Sequence, residues 1–164
     1  MGKLKQYHSG AWEIRAQGSG SSGSGTAATY LYLTMSANQT TGIADTNPIK
    51  FDTHVGDIDF DNATYRATLL AGVTYELSGM TQMEFSGATG YTYFRWWDVT
   101  NDAQLGTKGM AVPTTYAGSH IANQPNFTAV VTPVTNVVVE ARLDTPTNLT
   151  TIYKAYSCAI IKSL

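Results

Sequence analysis

The sequence predicts an all-β protein folded as a two-sheet antiparallel sandwich. Three observations carry this reading. Thr, Tyr, Gly and Val are prominent while long runs of helix formers are absent, a composition suited to pleated, half-buried surfaces. Several short segments alternate apolar and polar residues with a period of two, the pattern of a strand buried on one face. Clusters of Gly, Asn, Asp, Pro and Ser separate those segments and supply turns.

Residues 1–17 read as a separate N-terminal hairpin. Lys3-Leu4-Lys5-Gln6-Tyr7 and Ala11-Trp12-Glu13-Ile14-Arg15 flank a short turn at His8-Ser9-Gly10. Two strands alone are marginal in water, so Leu4, Tyr7, Trp12 and Ile14 need a surface to lie on. That surface is either the main domain or another protein. Residues 18–28 form a linker whose core, Gly18 to Gly25, is GSGSSGSG. Such a composition behaves as flexible coil, and this core spans about 15–17 Å. A tether of this kind divides attachment from presentation.

The head domain occupies residues 29–164. Tyr30 to Met35 is apolar at every position but Thr34, which predicts a strand buried on both faces. Ser36 to Pro48 is polar and turn-rich, a surface loop. A turn at Asp61-Asn62 precedes an extended run from Thr64 to Leu69. Ala71-Gly72 breaks that run, with Gly72 placed at a positive φ. Val73, Tyr75 and Leu77 then share one face and Thr74, Glu76 and Ser78 the other; this alternation ends at Gly79. In Tyr91 to Val99, Tyr91, Tyr93, Arg95 and Trp97 face one way, and Phe94 and Trp96 the other. Gln104 to Val112 reads as a weaker strand interrupted by Gly106 and Gly109, and Thr114 to Gln124 as loop plus strand. Asn126 to Val131 and Val137 to Leu143 are strands, Asp144 to Asn148 a turn, and Ile152 to Lys162 the closing strand. Short strands at this spacing suit a jelly roll.

The order of motifs carries a resemblance. Phe51-Asp52 is followed by an acidic spacer, then by Phe60-Asp61-Asn62-Ala63-Thr64, Tyr65-Arg66-Ala67 and Ala71-Gly72-Val73-Thr74-Tyr75. This resembles the signature of the globular head of complement's first component, which shares the tumour necrosis factor-like jelly roll: F-D, then F-D-P-A-T, then F-T-A-P-x-x-G-x-Y-x-F. Asn62 and Leu69 stand where that family often has Pro. The resemblance spans Thr29 to Leu164. It implies a compact homotrimer that binds partners at its outer surface, and related heads end many bacteriophage fibres. With the two-sided strands it places Tyr30, Tyr32, Tyr91, Tyr93, Trp97 and Tyr156 at the trimer interface, with the β-strand aromatics of 91–97 beside the final strand.

Composition narrows the chemistry. Charged residues make up 13% of the chain and the net charge is −2, against about 25% charged residues in ordinary soluble proteins. No basic field is available to hold nucleic acid. Cys158 is the sole cysteine, so no intrachain disulfide forms; its apolar surroundings predict a small buried hydrophobe. Neither a secretory leader nor an apolar run of about 18 residues is present, so no membrane insertion is expected. Asp57-x-Asp59-x-Asp61 begins like a calcium loop, but Asn62 and Thr68 stand where that loop requires Gly and Glu. Those carboxylates read either as a solvated acidic turn, with Ile58 and Phe60 inward, or as a surface calcium site. His8, His54 and His120 are scattered without ligand spacing. Neither a nucleophile elbow nor a phosphate loop occurs.

No catalytic residue, metal ligand or cofactor is therefore assigned, and the chain is expected to be non-enzymatic. The expected role is a virion structural protein: a trimeric phage fibre, spike or capsid decoration protein, made in the host cytoplasm and displayed on the virion surface. Leu4, Tyr7, Trp12 and Ile14 would anchor it to a capsid or tail protein. The alternative is a lectin-like, receptor-binding module that recognises a cell-surface glycan through its aromatic residues.

Overall fold

The computed structural model describes residues 3–8, 11–16, 29–116, 119–122 and 126–164, with side chains from residue 29 onward except that of Tyr116. β1 (Lys3–His8) and β2 (Ala11–Ala16) pair antiparallel as a sheet of their own. Tyr7 lies opposite Trp12 and Lys5 opposite Ile14 in the register.

The head contains β3 (Tyr30–Thr34), β4 (Thr53–Gly56), β5 (Phe60–Asp61), β6 (Arg66–Leu69), β7 (Tyr75–Phe85), β8 (Tyr91–Asp98), β9 (Ala103–Ala111), β10 (Thr114–Tyr116), β11 (Ser119–Ala122), β12 (Asn126–Val131), β13 (Val137–Thr147) and β14 (Leu149–Ser163). Their order is β4-β3-β14-β7-β12-β9-β8-β13-β6-β5, with β10 and β11 paired beside β7. β12 and β9 meet only at Thr128 and Thr107. The path therefore divides there into two sheets, β4-β3-β14-β7-β12 and β9-β8-β13-β6-β5. Their inner faces close on one core, the arrangement of a jelly roll.

Strict alternation builds that core. On β7, every second residue from Tyr75 to Phe85 is buried, Tyr75, Leu77, Met83 and Phe85 among them, while the alternate residues are half-buried. On β8 it is Phe94 and Trp96, and on β13 Val137, Val139, Ala141 and Leu143. Phe127 from β12 sits between the sheets, 5.2 Å from the Phe94 ring and 5.5 Å from that of Trp96. Two glycines make room for these rings. A Cβ on Gly79 would lie 2.3 Å from Phe127, and one on Gly109 would lie 2.2 Å from Phe94.

Several boundaries differ from the sequence reading. β7 does not stop at Gly79 but runs on to Phe85, because the missing side chain there is replaced by the ring of Phe127. β6 starts at Arg66 rather than Thr64. Asp61 holds the preceding turn by accepting from the Ala63 N–H and the Thr64 hydroxyl, and Tyr65 takes φ 61°. β13 extends through most of the expected turn to Thr147, absorbing a bulge after Asp144 at Thr145 (φ 52°); the reversal falls at Asn148 (φ 58°). β3 is buried on one face only: Leu31 and Leu33 are in the core, whereas Tyr30 and Tyr32 are 46% and 39% exposed. The positive φ expected at Gly72 is present, at 75°.

Candidate interaction surfaces

Two outer faces of the sandwich carry the residues singled out in the sequence. On the first sheet, the register aligns Val55, Tyr32, Ile160, Ser78 and Thr128 in one cross-strand row. The adjacent row on one side contains Thr34, Cys158, Met80 and Asn126. Directly opposed residues share a face, so these two rows form one surface without an ionisable acid or base other than Cys158 and Tyr32. Between β12, β7 and β14 it sinks into a shallow groove lined by Met80, Asn126, Thr128, Cys158 and Ile160. Tyr156, in the β14 bulge that precedes Cys158, is 53% exposed. The Cys158 thiol and its hydrogen bond, together with burial, push the Tyr32 hydroxyl above its ordinary pKa. Cys158 is thus a half-buried groove residue and not the core hydrophobe expected from its neighbours in sequence. The far end of this face is closed by the ion pair of Lys162 and Glu76, at 2.8 Å.

On the second sheet, Tyr91, Tyr93, Arg95 and Trp97 face outward together with Glu140, Arg142 and Asp144 of β13. The guanidinium carbons of Arg95 and Arg142 lie 4.5 and 4.6 Å from the centroid of Trp97, and the Lys108 ammonium 5.4 Å from that of Tyr93. Glu140, 1% exposed, accepts from Arg66 at 2.8 Å and from Arg142 at 2.7 Å. Asp144 accepts from Lys108 at 2.7 Å and lies 3.3 Å from Arg95. Burial pulls the Asp144 carboxyl up, but the bonds from Lys108 and Thr145 and the charge of Arg95 outweigh it and hold the group below the usual carboxylate range. Trp97 and Tyr93 are therefore covered by cations of the same chain, while Tyr91 packs edge-on against Tyr93, with ring centroids 6.0 Å apart.

The six residues expected at one interface thus lie on two faces. Tyr30 and Tyr32 stand on the outer side of the first sheet, with Tyr156 exposed beside them; Tyr91, Tyr93 and Trp97 stand on the second sheet. Within one chain β8 and β14 belong to different sheets of the sandwich, so the expected neighbourhood of the β8 aromatics and the final strand would form between copies. Periodicity reveals which residues share a strand face, but not which sheet a strand joins. The network of Arg66, Arg95, Arg142, Glu140 and Asp144 went unread for the same reason. Its one sequence signal is a charged residue at alternate positions 140, 142 and 144 within an apolar strand.

Asp57 and Asp59 are exposed, while both Asp61 oxygens are committed to the turn at Ala63 and Thr64. Ile58 is buried and Phe60 packs partly against the core. Among the described residues no group of three His, Cys, Asp or Glu side chains is placed to hold a metal ion, and no helix is long and apolar enough to cross a membrane. The side chains of Leu4, Tyr7, Trp12 and Ile14 lie outside the described residues.

No protein-family model matches the chain, and no curated protein matches it in sequence. Solved structures do match its fold. The Eiger TNF of S. frugiperda superposes with a TM-score of 0.58 over 84% of this chain and 91% of its own, at 7% identity. Murine APRIL superposes with a TM-score of 0.57 over 84% of this chain and 99% of its own, at 8% identity. At such identity the likeness concerns the fold, and it agrees with the jelly roll seen in the strand order.

Proposed function

We propose that this tumour necrosis factor-like jelly roll is a non-enzymatic virion structural protein: a trimeric fibre, spike or capsid decoration head held on its particle through residues 1–17. The observation that carries the self-association is the outer face of the first sheet. Tyr32, Ile160, Val55 and Tyr30 are 39%, 38%, 59% and 46% exposed there, around the groove at Met80 and Cys158. Contiguous apolar patches of more than about 300–600 Å² are rare on monomers, and burial against identical copies is the simplest remedy. The number three comes from the family resemblance, and a closed ring is how a head-to-tail contact avoids growing a filament.

The particle is supported by the division of the chain. A hairpin with apolar positions, then a Gly/Ser tether, then a compact head suits attachment at one end and display at the other. No observation favours the glycan-binding alternative on β8, because Trp97 and Tyr93 already carry Arg95, Arg142 and Lys108 over their rings.

Light scattering on the full chain should give three times the chain mass of 17.7 kDa. Removing residues 1–17 should leave the head folded and trimeric but absent from purified particles, and Trp12→Ala should weaken attachment, as truncating a buried Trp anchor does. A monomer mass at micromolar concentration overturns the trimer. Unchanged particle association after the deletion overturns the anchor.

A further inference from the structure

One end of the sandwich collects the residue that begins the head and four loops. Thr29 and Ser163 exchange two hydrogen bonds, each 2.9 Å, and Asp57 N–H donates to the Tyr30 carbonyl. The tether of residues 18–28 therefore joins the head at this end. Here too lie the β4–β5, β6–β7, β8–β9 and β12–β13 loops, residues 57–59, 70–74, 99–102 and 132–136. These loops contain no Lys or Arg but do contain Asp57, Asp59 and Asp102, all exposed. Lys162, the nearest cation on β14, is already paired with Glu76.

The same end displays apolar side chains on fixed backbone. Leu70 is 54% and Val134 94% exposed. Their loops are clamped together: Gly72 N–H donates to the Pro133 carbonyl at 2.7 Å, Ala71 N–H to Asn136 Oδ1 at 2.9 Å, and the Thr74 and Thr132 hydroxyls are 2.8 Å apart. Ordering is thus complete before any partner arrives, which lowers the entropic cost of docking there.

The register of the N-terminal ribbon supplies the complementary chemistry. Lys3, Lys5, Tyr7, Trp12, Ile14 and Ala16 occupy positions on one face of it. That face has two cations and no acid. We infer that this face of the ribbon docks on the tether end of its own head, with Leu70 and Val134 as the apolar contact and Asp57, Asp59 and Asp102 as counter-charges. The reach is adequate, since a coil over residues 18–28 spans about 17–20 Å. Tethering also sets an effective concentration on the order of millimolar, so a contact with a Kd of about 1 mM in trans is roughly half formed within the chain. This goes beyond anchoring: the ribbon that takes the particle has a resting site on its own head.

Hydrogen–deuterium exchange on the full chain tests it. Segments 57–59, 70–74 and 132–136 should exchange roughly 2- to 10-fold more slowly than in the full-length Tyr7→Ser/Trp12→Ser variant. Val134→Glu and Asp59→Lys, each at an exposed position, should remove the difference with the ribbon intact, and a tenfold dilution should leave it unchanged. Equal exchange in the wild type and the double variant overturns the inference, as does protection that fades on dilution, which would make another molecule the occupant. Loss of particle association in the double variant with no change in exchange overturns this inference alone and leaves the anchor standing.

Discussion

Gly72 donates its N–H to the carbonyl of Pro133 at 2.7 Å while holding φ at 75°. With the bonds from Ala71 to Asn136 and between Thr74 and Thr132, this contact ties the β6–β7 turn to the β12–β13 loop and so aligns the ends of both sheets. A Cβ there meets nothing within 4 Å, so the demand on residue 72 is conformational and not steric. Gly72→Val should cost about 1–2 kcal/mol, the penalty of a left-handed L-residue. Urea denaturation measures it, and a midpoint equal to wild type would remove the turn assignment.

Gly79 and Gly109 make the opposite demand. Their φ values are ordinary, yet an added methyl would overlap Phe127 and Phe94. Gly109→Ala should therefore destabilise by about 1–3 kcal/mol, as overpacked cores do, and the pair Gly109→Ala/Phe94→Leu should lose less than the two single changes summed. Strict additivity in thermal melts would show that the glycine is not there for the ring.

The two outer faces should differ in what they do for assembly. Ile160→Asp places a charge in the centre of the first sheet's outer row, at a residue already 38% exposed. The head should stay folded and shift to the 17.7 kDa monomer mass in light scattering. Trp97→Leu, on the second sheet, should leave the mass unchanged while losing about 1–2 kcal/mol of stability with its two cation contacts. Dissociation by Trp97→Leu with Ile160→Asp silent would reverse the assignment of faces.

Acid should act through Asp144. Its folded pKa lies below the ordinary value, so the unfolded chain binds the proton first. The stabilisation is complete above the unfolded carboxylate value, about 3.9, and is lost as pH falls through the folded one. Asp144→Asn should be less stable than wild type at pH 6 and lose less stability between pH 4 and 2, measured by urea denaturation at each pH. Parallel pH profiles for the two proteins would place the acid sensitivity elsewhere, for instance at Asp52, whose bonds from Ser36 also hold it low against its partial burial.

The sequence by itself determined the class, the hairpin and most strands. Alternation is a local property, so Tyr91–Trp97, Asn126–Val131 and most of Val73–Leu77 could be assigned to strands, and in the first and last of these the residues sharing a face could be named, without knowing any neighbour; the strand itself begins at Tyr75. Gly72 was legible because a turn glycine is dictated by the two strands that flank it. What only the tertiary structure decided depends on pairing between distant segments. Gly79 looks like a strand end until Phe127 from β12 fills its place. Cys158 looks buried until β14 is paired so that position 158 faces out beside Tyr32 and Met80. The aromatics of β3 and β8 read as one set until the strand order puts them on different sheets, and Arg142, forty-five residues after Trp97 in the chain, lies over its ring. Local periodicity fixes which way a side chain points from its strand; only the long-range register fixes what it then meets.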